Sequence, residues 1–272
     1  MKILFFCPIW GNKDIPITEF ASKVKNAGYD GVELSLPLDH AERDTVLAAV
    51  KEADLLYLGQ HWETVTVHFE EHKKAYTDRL YNLAKGNPIL IDSQTGIDFF
   101  SFEQNMELIH AASAFTRDTG IQVVHETHRG KFSFAAHITR QFLEANPDLR
   151  IGADFSHWCN VGESLLENQE ASLDLAISRA DHIHARVGFQ EGPQIPDPRA
   201  PEWKEHVEKH VFWWARILER ASNENREYFT ISPEFGPYPY MTILPYTKQP
   251  VADQWEVNVY MMELLKDRFK GF

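Results

Sequence analysis

The chain has 272 residues, 43 % of them apolar, and no low-complexity tract, enough for a substantial core in one large α/β domain or two small ones. Forty acidic residues against 27 basic ones give a formal charge of −13, which repels nucleic-acid backbones and anionic lipid surfaces and argues against either partner. Two isolated cysteines, Cys7 and Cys159, suggest neither a disulfide framework nor a zinc ribbon, and the expected compartment is a reducing cytoplasm.

Along the chain a short apolar run, a polar loop and a longer segment of helical period recur. Strands are expected at 2–6, 31–36, 55–60, 88–92, 121–126, 150–154, 182–187 and 228–234. Helices are expected at 17–26, 40–52, 70–84, 102–119, 133–146, 164–179, 203–223 and 251–269. Ala27-Gly28, Lys85-Gly86, Thr119-Gly120 and Asn146-Pro147 stand where helices must stop. The N-terminal run is too short to span a bilayer and has no small-residue cleavage site, so it reads as the first strand of an unprocessed protein. Eight strands alternating with eight helices predict a single (β/α)8 TIM barrel over 1–272, with its site at the C-terminal strand ends. The rival, an open doubly wound sheet, lacks the expected G-x-G-x-x-G after the first strand.

The segment GFQEGPQIPDPRAPE at 188–202 carries four prolines and two glycines without periodicity. An ordered irregular loop after strand seven is predicted, serving as a lid over substrate or as a subunit contact.

Four of the later strands close on groups that bind metal or move protons: VVHE at Glu126, IGAD at Asp154, HIH at His184 and ISPE at Glu234. Strand alternation puts Val124 with Glu126, Gly152 with Asp154, His182 with His184 and Arg186, and Thr230 with Ser232 and Glu234. Any one of these carboxylates alone would read as a loop cap or a salt bridge. Four on successive strands read as one centre, because close carboxylates resist ionising together unless a cation joins them. Three hard oxygens and one imidazole suit Mn, Mg or Co, with Zn a further candidate.

GYDGVEL at 28–34, VVHETHRG at 123–130, ADFSHW at 153–158, HIHARV at 182–187 and SPEFG at 232–236 resemble the sugar phosphate isomerase/epimerase family of xylose-isomerase-like barrels, over essentially the whole chain. That family is related to ketose 3-epimerases and hydroxypyruvate isomerase. The resemblance implies that Glu126, Asp154, His184 and Glu234 ligate a divalent metal. It also implies that Glu126 and Glu234 form an acid/base pair, moving a proton through an enediolate of a sugar or sugar derivative. It makes His157, of Asp-x-x-His, and Arg186 substrate contacts. Weaker rim candidates are Glu33, His61, His128, Arg129 and the rings of Trp10, Trp62 and Trp158, whereas Trp213 and Trp214 belong to a helix and should be core or interface.

The expected activity is therefore a metal-dependent isomerase or epimerase. A dehydratase or lyase on a polyol or keto-sugar uses the same chemistry, and a carbohydrate-binding barrel without turnover is the non-enzymatic alternative. Neither the extra histidines of an endonuclease IV site nor a cluster of phosphate-binding donors is found. Homo-oligomerisation is expected from the resemblance and from aromatics such as Trp213.

Overall fold

The computed structural model describes residues 1–272. Eight parallel strands close into one barrel in sequence order: β1 (Lys2–Pro8), β2 (Gly31–Leu34), β3 (Leu56–His61), β4 (Ile91–Ser93), β5 (Val123–Glu126), β6 (Ile151–Ala153), β7 (Ala180–His184) and β8 (Tyr228–Ser232). Around them run α1 (Ile17–Asn26), α2 (His40–Glu52), α3 (Phe69–Ala84), α4 (Phe102–Thr119), α5 (Ala136–Ala145), α6 (Phe155–Val161), α7 (Glu170–Ile177), α8 (Lys204–Asn223) and α9 (Gln254–Arg268). The expected (β/α)8 barrel is the fold observed. No helix is long and apolar enough to cross a membrane.

Local chemistry sets the ends of these elements. Asp39 and Asp253 cap α2 and α9 by accepting from backbone N–H groups, and Ser101 with Gln104 forms a reciprocal capping box on α4. Gly120 ends α4 in the left-handed conformation, at φ 75°, where a Cβ would be strained.

Two apolar clusters divide the interior. Sixty buried residues, including Phe20, Phe115, Trp213, Trp214, Ile217 and Met261, fill the layer between strands and helices. A second cluster of Leu4, Phe6, Leu58, Leu90 and Val124 plugs the lower part of the barrel. The upper part is polar: Glu33, Asp92, Glu126, His182 and His184 are all buried there. In a barrel with inward and outward residues alternating, that division leaves one place where ionisable groups converge, above the plug.

One helix departs from the expected set. α6 starts directly after β6, between the expected strand at 150–154 and the expected helix at 164–179. Its sequence FSHWCNV has too few residues to show a period, and the helix that follows it is only Glu170–Ile177. The available signal is Asp154 itself, an N-cap residue type whose side chain accepts from Ser156 N at 3.1 Å.

The 188–202 segment is ordered, but none of its residues lines the cavity at the mouth of the barrel. Its contacts are with the strand ends beside it: Ile195 N donates to Val187 O at 2.9 Å, and the Gln194 amide clamps Gly236 by donating to its carbonyl and accepting from its N–H. Arg199 is held by Asp197 and Glu256.

Candidate metal and substrate site

Each site residue owes its direction to a strand end. Glu126 is the last residue of β5 and His184 the last of β7, both pointing inward by the same alternation that buries Val124 and His182. Asp154 follows β6 as the cap of α6, and Glu234 lies two residues past β8. The structure brings these four together: one ligand atom of each lies within 4.8 Å of the other three, and all are buried.

Several of these atoms lack partners. Both carboxylate oxygens of Glu126 are without a hydrogen bond, an expensive state for a buried charge. His184 Nδ1 lies 3.0 Å from Glu234 Oε2 and 3.6 Å from Glu126 Oε1, yet is aligned for a hydrogen bond with neither. Its other nitrogen, Nε2, is 2.8 Å from Glu33 Oε1. A carboxylate only accepts, so Nε2 carries a proton; with a cation bound beside the two glutamates the ring would be neutral and Nδ1 free to ligate. This donor set, orphaned and oxygen-rich with one imidazole nitrogen, fits a divalent cation.

Asp154 is the most engaged of the four. It accepts from the backbone and hydroxyl of Ser156 and from Arg186, which is itself buried and lies 3.7 Å from Glu234 Oε2. Burial pushes the Asp154 carboxyl up to about 6 against the pull of Arg186. Burial also opposes ionisation of Glu126, but His184, His128 and Arg186 overcome it and hold the group well below the usual carboxylate range. For His184, burial disfavours the cation, and the surrounding carboxylates Glu234, Glu33, Asp92 and Glu126 reverse that and raise it. Without metal, the imidazolium is thus the local counter-ion.

Above these groups a cavity of about 170 Å³ opens to solvent, lined by Ile9, Trp10, Lys13, Gln60, Trp62, Gln94, Glu126, His128, Arg186, Glu234 and Tyr240. At about 10–15 Å³ per water-sized position, it takes on the order of a dozen non-hydrogen atoms. Tyr240 stands edge-on to Trp10 at 4.9 Å between ring centres and lies under both Arg186 and Arg129. Lys13 covers the Trp62 ring at 4.4 Å.

Among the expected substrate contacts, Arg186 and His128 line the cavity, and His157 is fully buried just behind it, 2.7 Å from Arg186. His61 and Trp158 are elsewhere. In β3 the inward residues are Leu58 and Gln60, so His61 faces the helices, where Ser93 and Thr64 occupy its two ring nitrogens. Trp158 is fully buried on α6, stacked on Phe155, and donates from Nε1 to Ser133 O. Neither lines the cavity: a rim position in sequence does not say which face His61 takes, and Trp158 lies on a short helix that the sequence pattern did not show.

Sequence reasoning passed over Asp92, Gln60, Gln94, Lys13 and Tyr240, and ranked Glu33 low. Asp92 carries the same signal as the others, a carboxylate closing an apolar run, and lies 3.7 Å from His184 Nε2. Gln60 Nε2 donates to Glu234 Oε1 at 3.3 Å. Tyr240 lies in an irregular loop and gives no pattern.

No family model matches the chain, and neither does any curated protein. Solved structures do match. A 3-keto-D-glucoside 4-epimerase, YcjR, from E. coli superposes with a TM-score of 0.64 at 15 % identity, over 98 % of this chain and 100 % of that one. Endonuclease IV from Thermus thermophilus gives 0.60 at 13 % identity over 100 % of both chains. The probable 3-DHS dehydratase AsbF of Bacillus anthracis gives 0.59 at 15 % identity, covering 98 % of this chain and 99 % of that one. Identities this low establish a shared fold, the closed (β/α)8 barrel, and nothing finer. Three different chemistries on one scaffold leave the activity to be argued from the site.

Proposed function

We propose that the protein is a divalent-metal-dependent isomerase or epimerase of a sugar or sugar derivative. The observation that carries this reading is the gathering of Glu126, Asp154, His184 and Glu234 within 4.8 Å, with both Glu126 oxygens and His184 Nδ1 unpartnered at the floor of an open cavity. These four residues would hold the ion. When bound, it supplies a Lewis acid that polarises a carbonyl oxygen and orients the adjacent hydroxyl.

The chain's own groups account for the remaining steps. Glu126 and Glu234 both line the cavity, on strands three positions apart round the barrel, so a sugar lying over them meets a carboxylate from each side. One takes the proton from the carbon next to the carbonyl, and the other returns a proton to a neighbouring carbon or to the opposite face. Gln60 holds Glu234 by its Oε1 and limits its swing. Arg186 keeps a permanent positive charge beside Glu234 and Asp154, where it favours negative charge developing on a substrate oxygen. Trp10, Trp62 and Tyr240 give the cavity apolar walls for the C–H face of a sugar ring. The neighbour that epimerises a 3-keto-glucoside supports a sugar-sized substrate, as does a D-allulose 3-epimerase that superposes with a TM-score of 0.57 at 14 % identity over 98 % of both chains. Acidic composition opposes the DNA chemistry of the endonuclease neighbour.

The test is deuterium uptake. Protein reconstituted with Mn(II) is incubated in D2O with a panel of ketoses and keto-sugars, and carbon-bound deuterium is expected in at least one, lost in Glu126→Gln and in Glu234→Gln. Water release with a new ultraviolet-absorbing enone would instead assign a dehydratase. No exchange with any compound, together with no Mn(II) binding, would overturn the proposal.

A further inference from the structure

At and below the four-residue centre, the barrel interior gathers more carboxylates than one divalent ion balances. Glu33, Asp92, Glu126, Asp154 and Glu234 are all buried, at 4 % exposure or less. Arg186 is the one permanently charged cation in contact with any of them. Were all five ionised, one guanidinium and one divalent ion would leave two negative charges in a desolvated chamber, which costs several kcal/mol per unpaired ion.

The second observation is independent of that count. His182, fully buried on β7, places Nδ1 3.1 Å from the Thr230 carbonyl and 2.8 Å from its hydroxyl. A carbonyl only accepts, so Nδ1 carries the proton and Nε2 is a bare lone pair. That nitrogen has no partner, and Glu33 Oε2, also without a partner, lies 3.9 Å away. A lone pair beside a carboxylate is repulsive unless something positive lies between them. Asp92, with neither oxygen hydrogen-bonded, closes the chamber from β4 on the Nε2 side of His184. The apolar plug lies beneath, so water has no open route from below.

We propose a second cation site inside the barrel, ligated by Glu33 and His182, with Asp92 close by at His184 Nε2, distinct from the one at the cavity floor. One imidazole nitrogen with carboxylate oxygens suits a divalent ion of the Mn, Co or Zn kind. Glu33 would then serve two partners, one oxygen on the ion and the other on His184 Nε2–H, holding His184 with Nδ1 toward the cavity. The charge count rests on the first-site reading, whereas the His182 geometry does not.

Metal-stripped protein titrated with Mn(II) alone, by calorimetry and elemental analysis, is expected to bind two equivalents per chain. Glu33→Gln and His182→Gln should each bind one, and Asp154→Ala should retain one. One equivalent in the natural chain, unchanged by His182→Gln and lost in Asp154→Ala, would overturn the inner site and leave the outer one standing. Zero equivalents would overturn both. Should the buried variants fail to fold, anomalous scattering from Mn(II)-soaked crystals of the natural protein decides: two peaks, one between Glu33 and His182, support the inner site, and an empty inner position refutes it.

Discussion

Gly152 and Asp92 share one space: a Cβ built on Gly152 would stand 2.1 Å from Asp92 Oδ1 and 3.6 Å from the Glu126 Cα. The backbone of β6 is bare at this point so that a carboxylate from β4 can lie across the barrel axis. Gly152→Ala must displace that carboxylate, and overpacking of this kind costs about 1–3 kcal/mol. Urea denaturation should show that loss, and Asp92→Ala in the same chain should recover part of it. Additive losses would mean that the two side chains do not compete for the space.

Asp154 and Arg186 form a buried pair whose members depend on each other. Removing the carboxylate alone strands a guanidinium, and breaking such a pair costs about 3–5 kcal/mol. Asp154→Ala should therefore destabilise the protein even in EDTA, where loss of metal binding has no effect on the comparison. The double variant Asp154→Ala, Arg186→Met should regain much of the difference in the same denaturation assay. Equal stability of Asp154→Ala and the natural chain in EDTA would contradict the pairing.

His210 links acid sensitivity to the loop after β7. Its Nδ1–H donates to His206 O at 2.9 Å, and its Nε2 accepts from Gly188 N at 3.2 Å, so only the neutral ring fits. Burial lowers its pKa from 6.5 to about 4. The folded value is depressed, so the stabilisation is complete above pH 6.5 and is lost as pH falls toward 4, the loss by then amounting to at most roughly 3 kcal/mol. Thermal melts in that window should fall with pH in the natural chain and fall less steeply in His210→Gln. Parallel curves for the two proteins would remove His210 as a source of the slope.

Trp62 is 41 % exposed at the cavity mouth, with Lys13 over its ring. An aromatic contact of this kind contributes about 0.5–1.5 kcal/mol, so Trp62→Ala should raise KM roughly threefold to tenfold with kcat little changed, because the ring touches no reacting atom. Quenching of tryptophan fluorescence by substrate should shrink in parallel. A fall in kcat at constant KM would place Trp62 in the chemistry instead.

The repeat of apolar runs and helical periods was enough to count the barrel's eight strands, since each element announces itself through local composition and punctuation. α1, α2 and α4 begin and end where the sequence places them. Strand limits slipped by one to three residues, as at β4, where Pro88 to Leu90 are as apolar as the strand they precede and Ile89 and Leu90 already bond to the β3 backbone, yet the regular strand begins at Ile91. Strand-end carboxylates were visible for the same local reason.

What periodicity conveys is that alternate residues share a face; which of the two faces is inward depends on neighbours distant in sequence. That is why His61 and Gln60 exchanged roles: the choice was made by the register of β3 against β2 and β4, pairing Glu33 with Leu58 and Asp92 with Gln60. The sequence by itself determined a closed barrel and the four groups at its later strand ends. Only the tertiary structure decided that Glu33 and Asp92 join them from β2 and β4, 151 residues from His184 in the case of Glu33. Ring closure through the β1–β8 pairing makes that possible, bringing the first strands beside the last and gathering five carboxylates in one small volume.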